Sequence, residues 1–478
     1  MKKTFLRSAA IAVAVTGASA AHAVHVNPDG LGQVLLYPYY TVQNNFVTAI
    51  HVVNTTDQAK AVKVRFLEGK NSQEVLDFNL YLSPYDVWTG SVVPDAVNGA
   101  KLISNDTSCI APRQLPVGGQ AFRNFRYASE PLSGDPNRRA EGYVEIIDMG
   151  QLTIPEQAAA VTHTAAGTPL NCATIQAADT GGSVRTSLPD GGLFGSGHLV
   201  SVDGGVRTSY EPTVLDNFAD AFGGTLWTPA GDLQPSLEQS VPVAEILDGN
   251  QIVEFNPNSG KGIDAVSAVL TQNEIYNEYT IDAGRLSQTD WIITFPTKWA
   301  YVNTVNPAPF QRVWDAGTSA VPVLQSCHDV GFTYYNREEQ GQTPSGGDFS
   351  PKPPTSTFGL CTEVNTLTLY RSGTNPDDGR LFGAKSTAAA LAIDNFDAGW
   401  LKISWAQQGD TLVPPGTGVL LGTDASDNPV TVHGLPVIGF SASRNVNTVD
   451  VQIDGLNVYS AVMGSNVHKG SKDITGAL

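Results

Sequence analysis

The 478-residue chain carries 28 Lys and Arg against 46 Asp and Glu, which gives a formal net charge of −18 at pH 7. This excess of acidic residues argues against nucleic acid and anionic membrane surfaces as partners, because both are bound through Lys and Arg. Only 15% of the residues are charged, whereas 47 are Gly and 29 are Pro, a composition typical of a turn-rich β protein. The length of the chain predicts two or three domains.

The first residues have the pattern of an export signal. Three basic side chains occur within the first seven residues, residues 9–20 are apolar and rich in Ala and Val, and residues 21–23 read Ala-His-Ala. This pattern predicts a signal peptide over residues 1–23 and a mature chain that begins at Val24. No later run is long and apolar enough for a transmembrane helix. We therefore expect an exported protein, located in the periplasm, at the cell surface or outside the cell.

The residues after this segment have the pattern of an antiparallel β-sandwich. Residues 33–37 form a first strand-like run, residues 46–53 are rich in β-branched side chains, and residues 61–66 alternate apolar and polar side chains. Strict alternation indicates one buried face and one solvated face. We therefore predict an immunoglobulin-like N-terminal domain with long loops over residues 24–200, with Trp88 in its core.

Loops and one short helix interrupt the strands of this domain. The periodicity fades over residues 98–139, where Pro and Gly mark long loops, and residues 141–148 then read as a clear strand. Residues 155–162 predict a short helix that has a proline in its first turn. Residues 178–190 are rich in Gly, Thr and Asp and predict a further loop.

A second β-rich block is predicted over residues 201–340. Within it, residues 264–276 carry a loose helical stripe of apolar side chains and predict a helix. The neighbouring Tyr276, Glu278 and Tyr279 have side chains suited to a site, but packing in the core is the interpretation that the stripe favours.

The Pro-rich residues 341–357 predict an exposed loop or linker. A C-terminal β block is predicted over residues 358–478, because strand-like runs recur there, for example at 365–370 and 399–405. In the alternative arrangement, this block and residues 201–340 form one domain. The expected fold class is thus mainly β, with two or three immunoglobulin-like or β-sandwich domains, long loops and a few short helices.

Four stretches resemble segments of a family of exported proteobacterial proteins that has no assigned activity. They are residues 79–89, 141–150, 289–298 and 434–440. The resemblance extends over most of the mature chain. It implies an exported, β-rich protein, and it implies no reaction and no catalytic residue.

The four cysteines predict two disulfides, because their number is even and the expected compartment is oxidising. We predict the pairs Cys109–Cys172 and Cys327–Cys361, since each pair encloses a weakly periodic stretch with little core of its own. Four cysteines allow three pairings, so spacing alone leaves the other two open. Zinc is the alternative, but no two cysteines are close in sequence and no two histidines have ligand spacing.

No reaction motif assigns a catalytic residue. Residues 194–198 read Phe-Gly-Ser-Gly-His, which lacks the spacing of a G-x-S-x-G nucleophile elbow and is interpreted as a glycine loop. His51 lies in a predicted strand and is expected to be a half-buried structural residue. A pair of carboxylates for glycosidic cleavage stays open, because such pairs meet only in three dimensions and 46 acidic residues are present.

Two loops rich in oxygen ligands are candidates for calcium binding. They contain Asp424 and Asp427 in one loop and Asp377 and Asp378 in the other. Neither loop has the EF-hand pattern, and clusters of Asp, Asn and Gly also form ordinary β-turns, which is the favoured interpretation. No other cofactor is expected.

The leading functional hypothesis is a secreted or cell-surface protein without enzymatic activity, with a structural or adhesive role. The alternative is a carbohydrate-binding or carbohydrate-active extracellular protein in which Trp227, Trp299 or Trp400 stacks on a sugar. The expected partner is accordingly a surface glycan or another protein. An outer-membrane barrel is a third hypothesis. The Pro content, the four cysteines and the lack of evenly spaced alternating segments weigh against it.

Overall fold

The computed structural model describes residues 23–219, 225–302, 308–310, 313–315, 324–343, 359–405, 418–446, 451–453, 456–458 and 461–476. The chain is mainly β, with 49% of the described residues in strands and 12% in helices. The strands form several sheets of the β-sandwich class, and the helices are short. The predicted fold class is therefore confirmed.

Thirteen strands build the N-terminal sandwich. In chain order they are β1 (His25–Val26), β2 (Val34–Thr41), β3 (Phe46–Asn54), β4 (Lys60–Glu68), β5 (Glu74–Leu82), β6 (Val87–Asp95), β7 (Gly99–Ile103), β8 (Cys109–Ala111), β9 (Gln120–Ala121), β10 (Glu141–Gln151), β11 (Leu193–Ser201), β12 (Val206–Tyr210) and β13 (Thr213–Asp216). One sheet has the order β1-β13-β2-β10-β4-β5-β8, and the facing sheet has the order β12-β11-β3-β6-β7-β9.

Alternating side chains place the core between these two sheets. Along β3, Phe46, Ile50 and Val52 point inward, and the alternate residues Val47, Ala49, His51 and Val53 are half-buried on the outer face. Trp88 is fully buried, as predicted, with its ring centroid 5.8 Å from that of Phe78. The period of two read from the sequence therefore reports a real inside and outside of the sandwich.

Twenty-two further strands follow in the part of the chain that the structure describes. In chain order they are β14 (Ala244–Asp248), β15 (Gln251–Pro257), β16 (Thr271–Gln272), β17 (Glu274–Thr280), β18 (Gln288–Thr294), β19 (Val313–Asp315), β20 (Leu324–Ser326), β21 (His328–Asn336), β22 (Gly341–Gln342), β23 (Gly359–Leu360), β24 (Val364–Arg371), β25 (Ala388–Ile393), β26 (Ala398–Trp405), β27 (Val419–Thr423), β28 (Pro429–His433), β29 (Leu435–Pro436), β30 (Ile438–Val446), β31 (Val451–Ile453), β32 (Leu456–Val458), β33 (Ala461–Val467), β34 (Lys469–Ser471) and β35 (Asp473–Thr475).

Two of the sheets in this part form the second sandwich. Their strand orders are β22-β21-β26-β17-β34, with β23 also on β21, and β25-β24-β18-β30-β33. A third sheet, β14-β15-β27-β28-β35, packs with a helix against the outer face of the first N-terminal sheet. This second contact explains why β2 is buried at every position, since Leu36 faces one core and Leu35 the other.

The strand pairing crosses the predicted domain boundaries. The boundary at residue 200 lies inside β11, and β12 and β13 also pair within the N-terminal sandwich, which therefore continues to Asp216. Strands from 201–340 and from 358–478 alternate in the second sandwich, because β17 pairs with β26, and β18 pairs with β24 and β30. Of the predicted linker, Gly341–Gln342 forms strand β22, and residues 344–357 lie outside the described residues.

In the described residues, four α-helices and six 3-10 helices connect the strands. The α-helices are α1 (Pro155–Val161), α2 (Cys172–Thr180), α3 (Gly262–Leu270) and α4 (Pro376–Gly379). The 3-10 helices are Gln43–Asn45, Phe125–Tyr127, Pro136–Arg139, Leu237–Gln239, Ala283–Arg285 and Lys298–Ala300. The helix predicted at 155–162 is confirmed by α1. Part of the predicted loop 178–190 belongs instead to α2, which the buried Ile175 anchors.

The helix predicted over 264–276 is wrong in its second half. Helix α3 ends at Leu270, and β17 begins at Glu274. From there Ile275 and Tyr279 point into the second core. This stretch forms a strand and not the predicted helix, because its residues pair with β26 and alternate between the core and the outer face.

The two disulfides join Cys109 to Cys172 and Cys327 to Cys361, which are the pairs expected from the sequence. Cys109 lies in β8 and Cys172 begins α2, so the first bridge ties the helical layer to the edge of the first sheet. Among the described residues, no helix is both long enough and apolar enough to cross a membrane.

The two sandwiches pack directly on one another. Ile292 of β18, Val364 of β24 and Phe440 of β30 belong to the N-terminal core. Across the same junction the buried carboxylate of Glu141 accepts hydrogen bonds from the backbone N–H groups of residues 385 and 386, at 2.8 and 3.3 Å, and from the hydroxyl of Thr387. The sheet that contains β18, β24 and β30 therefore packs on the N-terminal sandwich, and this contact fixes the position of the second sandwich.

Candidate functional site

Three neighbouring strands, β21, β26 and β17, form an outward-facing surface on the second sandwich. Along β26 the side chains of Leu401, Ile403 and Trp405 enter the core. The alternate residues Trp400 and Lys402 therefore point away from it. Cross-strand pairing brings Trp400 opposite Tyr335 on one side and opposite Glu278 on the other.

Three aromatic side chains occupy this surface. The rings of Trp400 and Tyr335 stack with their centroids 4.4 Å apart and an interplanar angle of 13°, and the ring of Tyr276 lies 6.3 Å from Trp400 at 44°. Tyr335 lies close over Gly341, where an added Cβ would come within 2.6 Å of the ring. Trp400 keeps 41% of its surface exposed, although Tyr335 covers one side of it.

Fixed polar groups border the aromatic rings. Glu274 accepts a hydrogen bond from Lys402 Nζ at 2.9 Å and another from the Tyr276 hydroxyl. Burial acts to raise the pKa of Glu274, but these two hydrogen bonds outweigh it and lower the pKa. The hydrogen bond to Glu274 also raises the pKa of Lys402, so the pair is ionised at neutral pH. Glu278 is exposed and accepts from Asn466 Nδ2 at 2.6 Å.

We name Tyr276, Tyr335, Trp400, Glu274 and Lys402 the aromatic face. The strands that carry it span about 10 Å, since neighbouring strands are about 4.8 Å apart. An aromatic ring can cover the apolar C–H side of a sugar, and fixed carboxylate and ammonium groups can bond its hydroxyls. The face therefore has the chemistry of a shallow binding surface for a short saccharide.

The other two tryptophans considered from the sequence are less accessible. Trp227 is half-buried, donates from Nε1 to the Tyr81 hydroxyl at 3.1 Å and packs on a small core beneath α1 and α2. Trp299 is half-buried and donates to the carbonyl oxygen of Pro296 at 3.0 Å. Only Trp400 of the three is placed to stack on a ligand without a rearrangement.

Trp299 lines a separate cleft of about 520 Å³ between the N-terminal sandwich and the segment after it. Two of its three carboxylates are paired with arginines, because Glu74 accepts from Arg65 Nε at 3.0 Å and Glu130 lies 2.7 Å from Arg138 Nη2. The third is that of Glu238, which also lines the cleft. A glycosidase needs one carboxylic acid and one free carboxylate. Glu74 and Glu130, each held by an arginine, do not provide that arrangement.

The calcium candidates lie in two separate turns. Asp424 Oδ1 accepts from the backbone N–H groups of Ser426 at 2.8 Å and Asn428 at 2.9 Å, and Asp427 follows in the same turn. Asp377 pairs with Arg380 at 2.8 Å, and Asp378 shares the first turn of α4. Among the described residues, no three His, Cys, Asp or Glu side chains are grouped as a metal site. These contacts are those of ordinary turns, and calcium binding stays a prediction.

Several residues of the aromatic face and of its border were missed or misplaced by sequence reasoning. Tyr276 and Glu278 were expected to pack in the core, but both lie on the outer side of β17, while Tyr279 is buried. Tyr335 and Lys402 were not singled out. The alternation in residues 399–405 did contain the signal, since Trp400 and Lys402 have opposite parity to Leu401 and Ile403.

The glycine loop predicted at 194–198 is wrong, because these residues form the middle of β11. Gly195 and Gly197 allow the Tyr37 hydroxyl and the Tyr210 ring to approach the strand closely. His51 is half-buried in β3, as expected.

Comparison of the chain with models of protein families, with curated proteins and with solved structures finds no match. The evidence for function therefore comes from the residues of this chain and their geometry.

Proposed function

We propose that the protein is an exported, non-enzymatic adhesive protein that binds saccharides through the aromatic face. The observation that carries this proposal is Trp400, which is 41% exposed and is backed by the stacked ring of Tyr335. Rigid aromatic side chains dominate the energetics of many binding sites, and Trp400 is held in place by the ring stacked on it.

The neighbouring ion pair supports binding by a preformed surface. Lys402 and the Tyr276 hydroxyl both bond to Glu274, so these three side chains are held in one geometry before a ligand arrives. A ligand that meets ordered side chains loses less conformational entropy on binding. The stacked pair of Tyr335 and Trp400 is ordered in the same way.

Other features support an exported binding protein over an enzyme. Two disulfides are compatible with an oxidising compartment outside the cytoplasm. The aromatic face is an open sheet surface, whereas catalysis of glycoside cleavage needs a site that holds two carboxylates on either side of the bond.

A glycan array with the exported protein tests the proposal. We expect saturable binding to one class of saccharide and a loss of affinity of at least about tenfold in Trp400→Ala, the size expected for a central aromatic contact. Phe194→Ala is the matched control, because Phe194 is 42% exposed but lies in β11 on the other sandwich. Absence of binding to every saccharide, or equal loss in both variants, would contradict the proposal.

A further inference from the structure

Two ionisable side chains are buried next to each other inside the N-terminal sandwich. Lys60 begins β4, and Asp148 lies on the neighbouring strand β10. Both point between the two sheets, because Asp148 pairs directly with Val62 of the N-terminal core, and Lys60 precedes Val62 by two positions. Neither side chain is accessible to solvent. This place contains none of the residues of the aromatic face.

A second carboxylate contacts the same amine. Lys60 Nζ lies 2.9 Å from Asp148 Oδ2 and also donates a hydrogen bond to Asp190 Oδ1. Asp190 lies just before β11, and its side chain is 37% exposed. Its other oxygen accepts a hydrogen bond from Gln151 Nε2. One buried ammonium group is therefore held between two carboxylates, of which Asp190 is the one in contact with solvent.

The carboxyl group of Asp148 is oriented toward the amine. Its Oδ1 accepts a hydrogen bond from the backbone N–H of Gly150 at 2.8 Å, so Oδ2 is the oxygen that faces Lys60. Because Cγ is one C–O bond of about 1.2 Å from Oδ2, the amine nitrogen lies at most about 4.1 Å from that carbon. A shift of about 1 Å toward the face of the carboxyl group gives the separation of about 3–3.5 Å from which groups react.

We propose that Lys60 and Asp148 condense to an intramolecular isopeptide bond between Nζ and Cγ, and that Asp190 transfers the protons. Asp190 takes a proton from the ammonium group, and the freed amine attacks Cγ. The N–H of Gly150 stabilises the negative charge that develops on Oδ1. The nitrogen loses two protons in total, Asp190 carries both to Oδ2, and this oxygen leaves as one water molecule. The amide keeps one N–H, and the Asp190 carboxylate is regenerated.

Three effects favour this condensation over a permanent ion pair. It removes two charges from the interior of the sandwich, where their loss of hydration is unfavourable. Burial already raises the pKa of Asp148, although the charge of Lys60 opposes that shift. The fold also holds the reacting groups together, and effective molarities of about 10⁵–10⁸ M in such cases offset the unfavourable formation of an amide in water.

Lys63 provides a comparison on the same strand. Its amine is also buried and lies 2.6 Å from Asp77 Oδ2, but its second acceptor is the backbone carbonyl oxygen of Asp232. In the part of the chain that the structure describes, no second carboxylate contacts this amine. Lys63 therefore has the ion pair without a group to transfer protons, and we expect it to remain an ion pair.

Mass spectrometry of the exported wild-type chain, with both disulfides reduced, tests the proposal. We expect a mass about 18 Da below the sum of its residues, which corresponds to the loss of one water molecule. Trypsin does not cleave after an acylated lysine. Digestion should therefore give the peptide that ends at Lys63 joined to residues 140–185, with the link between Lys60 and Asp148.

Two variants separate this reaction from other losses of water. Asp190→Ala, with its folding checked by circular dichroism, should have the full mass, because nothing then takes the proton from the ammonium group. Lys63→Met is the matched control and should retain the mass loss. A wild-type mass equal to the sum of its residues would overturn the proposal. So would a mass loss without joined peptides, as a succinimide at Asp190–Gly191 produces, or joined peptides that are as abundant in Asp190→Ala as in the wild type.

Discussion

Arg65→Met is the substitution that most directly tests how the N-terminal sandwich is stabilised. Arg65 lies in β4, and its guanidinium donates to Glu74 Oε1 at 3.0 Å and to Glu145 Oε2 at 2.6 Å. Glu145 is fully buried, and burial raises its pKa while Arg65 opposes that shift. Methionine keeps most of the apolar stem of Arg65 but leaves both carboxylates without a counterion.

The expected loss of folding stability depends on how each carboxylate can avoid being buried as an unpaired charge. Glu74 lines the cleft and can turn toward water, but Glu145 must take up a proton. For a glutamate whose ordinary pKa is about 4.3, protonation at pH 7 costs about 3–4 kcal/mol, at about 1.4 kcal/mol per pH unit. This agrees with the usual cost of about 3–5 kcal/mol for breaking a buried ion pair from one side.

The dependence on pH distinguishes this mechanism from a loss of packing. In Arg65→Met the folded-state pKa of Glu145 rises further above its unfolded value, so stability is lost as pH rises from about 4.3 toward that higher pKa. The difference from the wild type should therefore fall to about 1 kcal/mol at pH 5. Urea unfolding followed by circular dichroism at both pH values measures it.

A double variant completes the test. In Arg65→Met with Glu145→Gln the buried charge is gone, and the double-mutant cycle should give a coupling energy of about 3 kcal/mol at pH 7. A destabilisation that is the same at pH 5 and pH 7, together with a coupling energy below about 1 kcal/mol, would refute the reasoning.

Two other predictions concern the supports of the fold. Replacing either disulfide, Cys109–Cys172 or Cys327–Cys361, by two serines should cost about 4 kcal/mol, because the bridges close loops with sequence separations of 63 and 34 residues; a change in urea midpoint equivalent to less than about 1 kcal/mol would speak against it. Glu141→Gln should cost about 1–3 kcal/mol, because an amide NH₂ then faces donors. It should also speed hydrogen exchange at residues 385–387, and exchange as slow as in the wild type would contradict the role of Glu141 at the junction.

The sandwich class could be predicted because its evidence is local. Alternation in residues 46–53 shows which side chains face the core. In residues 61–66 the alternation is correct for the core side, but the predicted solvated face is wrong, because Lys63 and Arg65 are buried in ion pairs. The helix predicted after Leu270 is wrong because the evidence for it was only local. A loose apolar stripe is compatible with a helix until the partner strand β26 is known. The mixing of early and late strands in one sheet involves contacts more than 100 residues apart, such as Glu274 with Ser404, and no local pattern reports them.

The aromatic face could be predicted only in part. Trp400 was one of three candidate tryptophans. It differs from Trp227 and Trp299 in its greater exposure, and the exposure of a side chain depends on tertiary packing, which the sequence does not report. The stack of Trp400 on Tyr335 joins residues 65 positions apart, so it follows from strand register and not from sequence spacing.

Hydrogen exchange with and without the saccharide that binds best on the array tests the central claim most directly. The account predicts slower exchange on binding in the strands of the aromatic face, residues 274–280, 333–336 and 398–402, and no such change in Trp400→Ala. Slower exchange confined instead to the cleft, at residues 65–74 and 126–130, would contradict it.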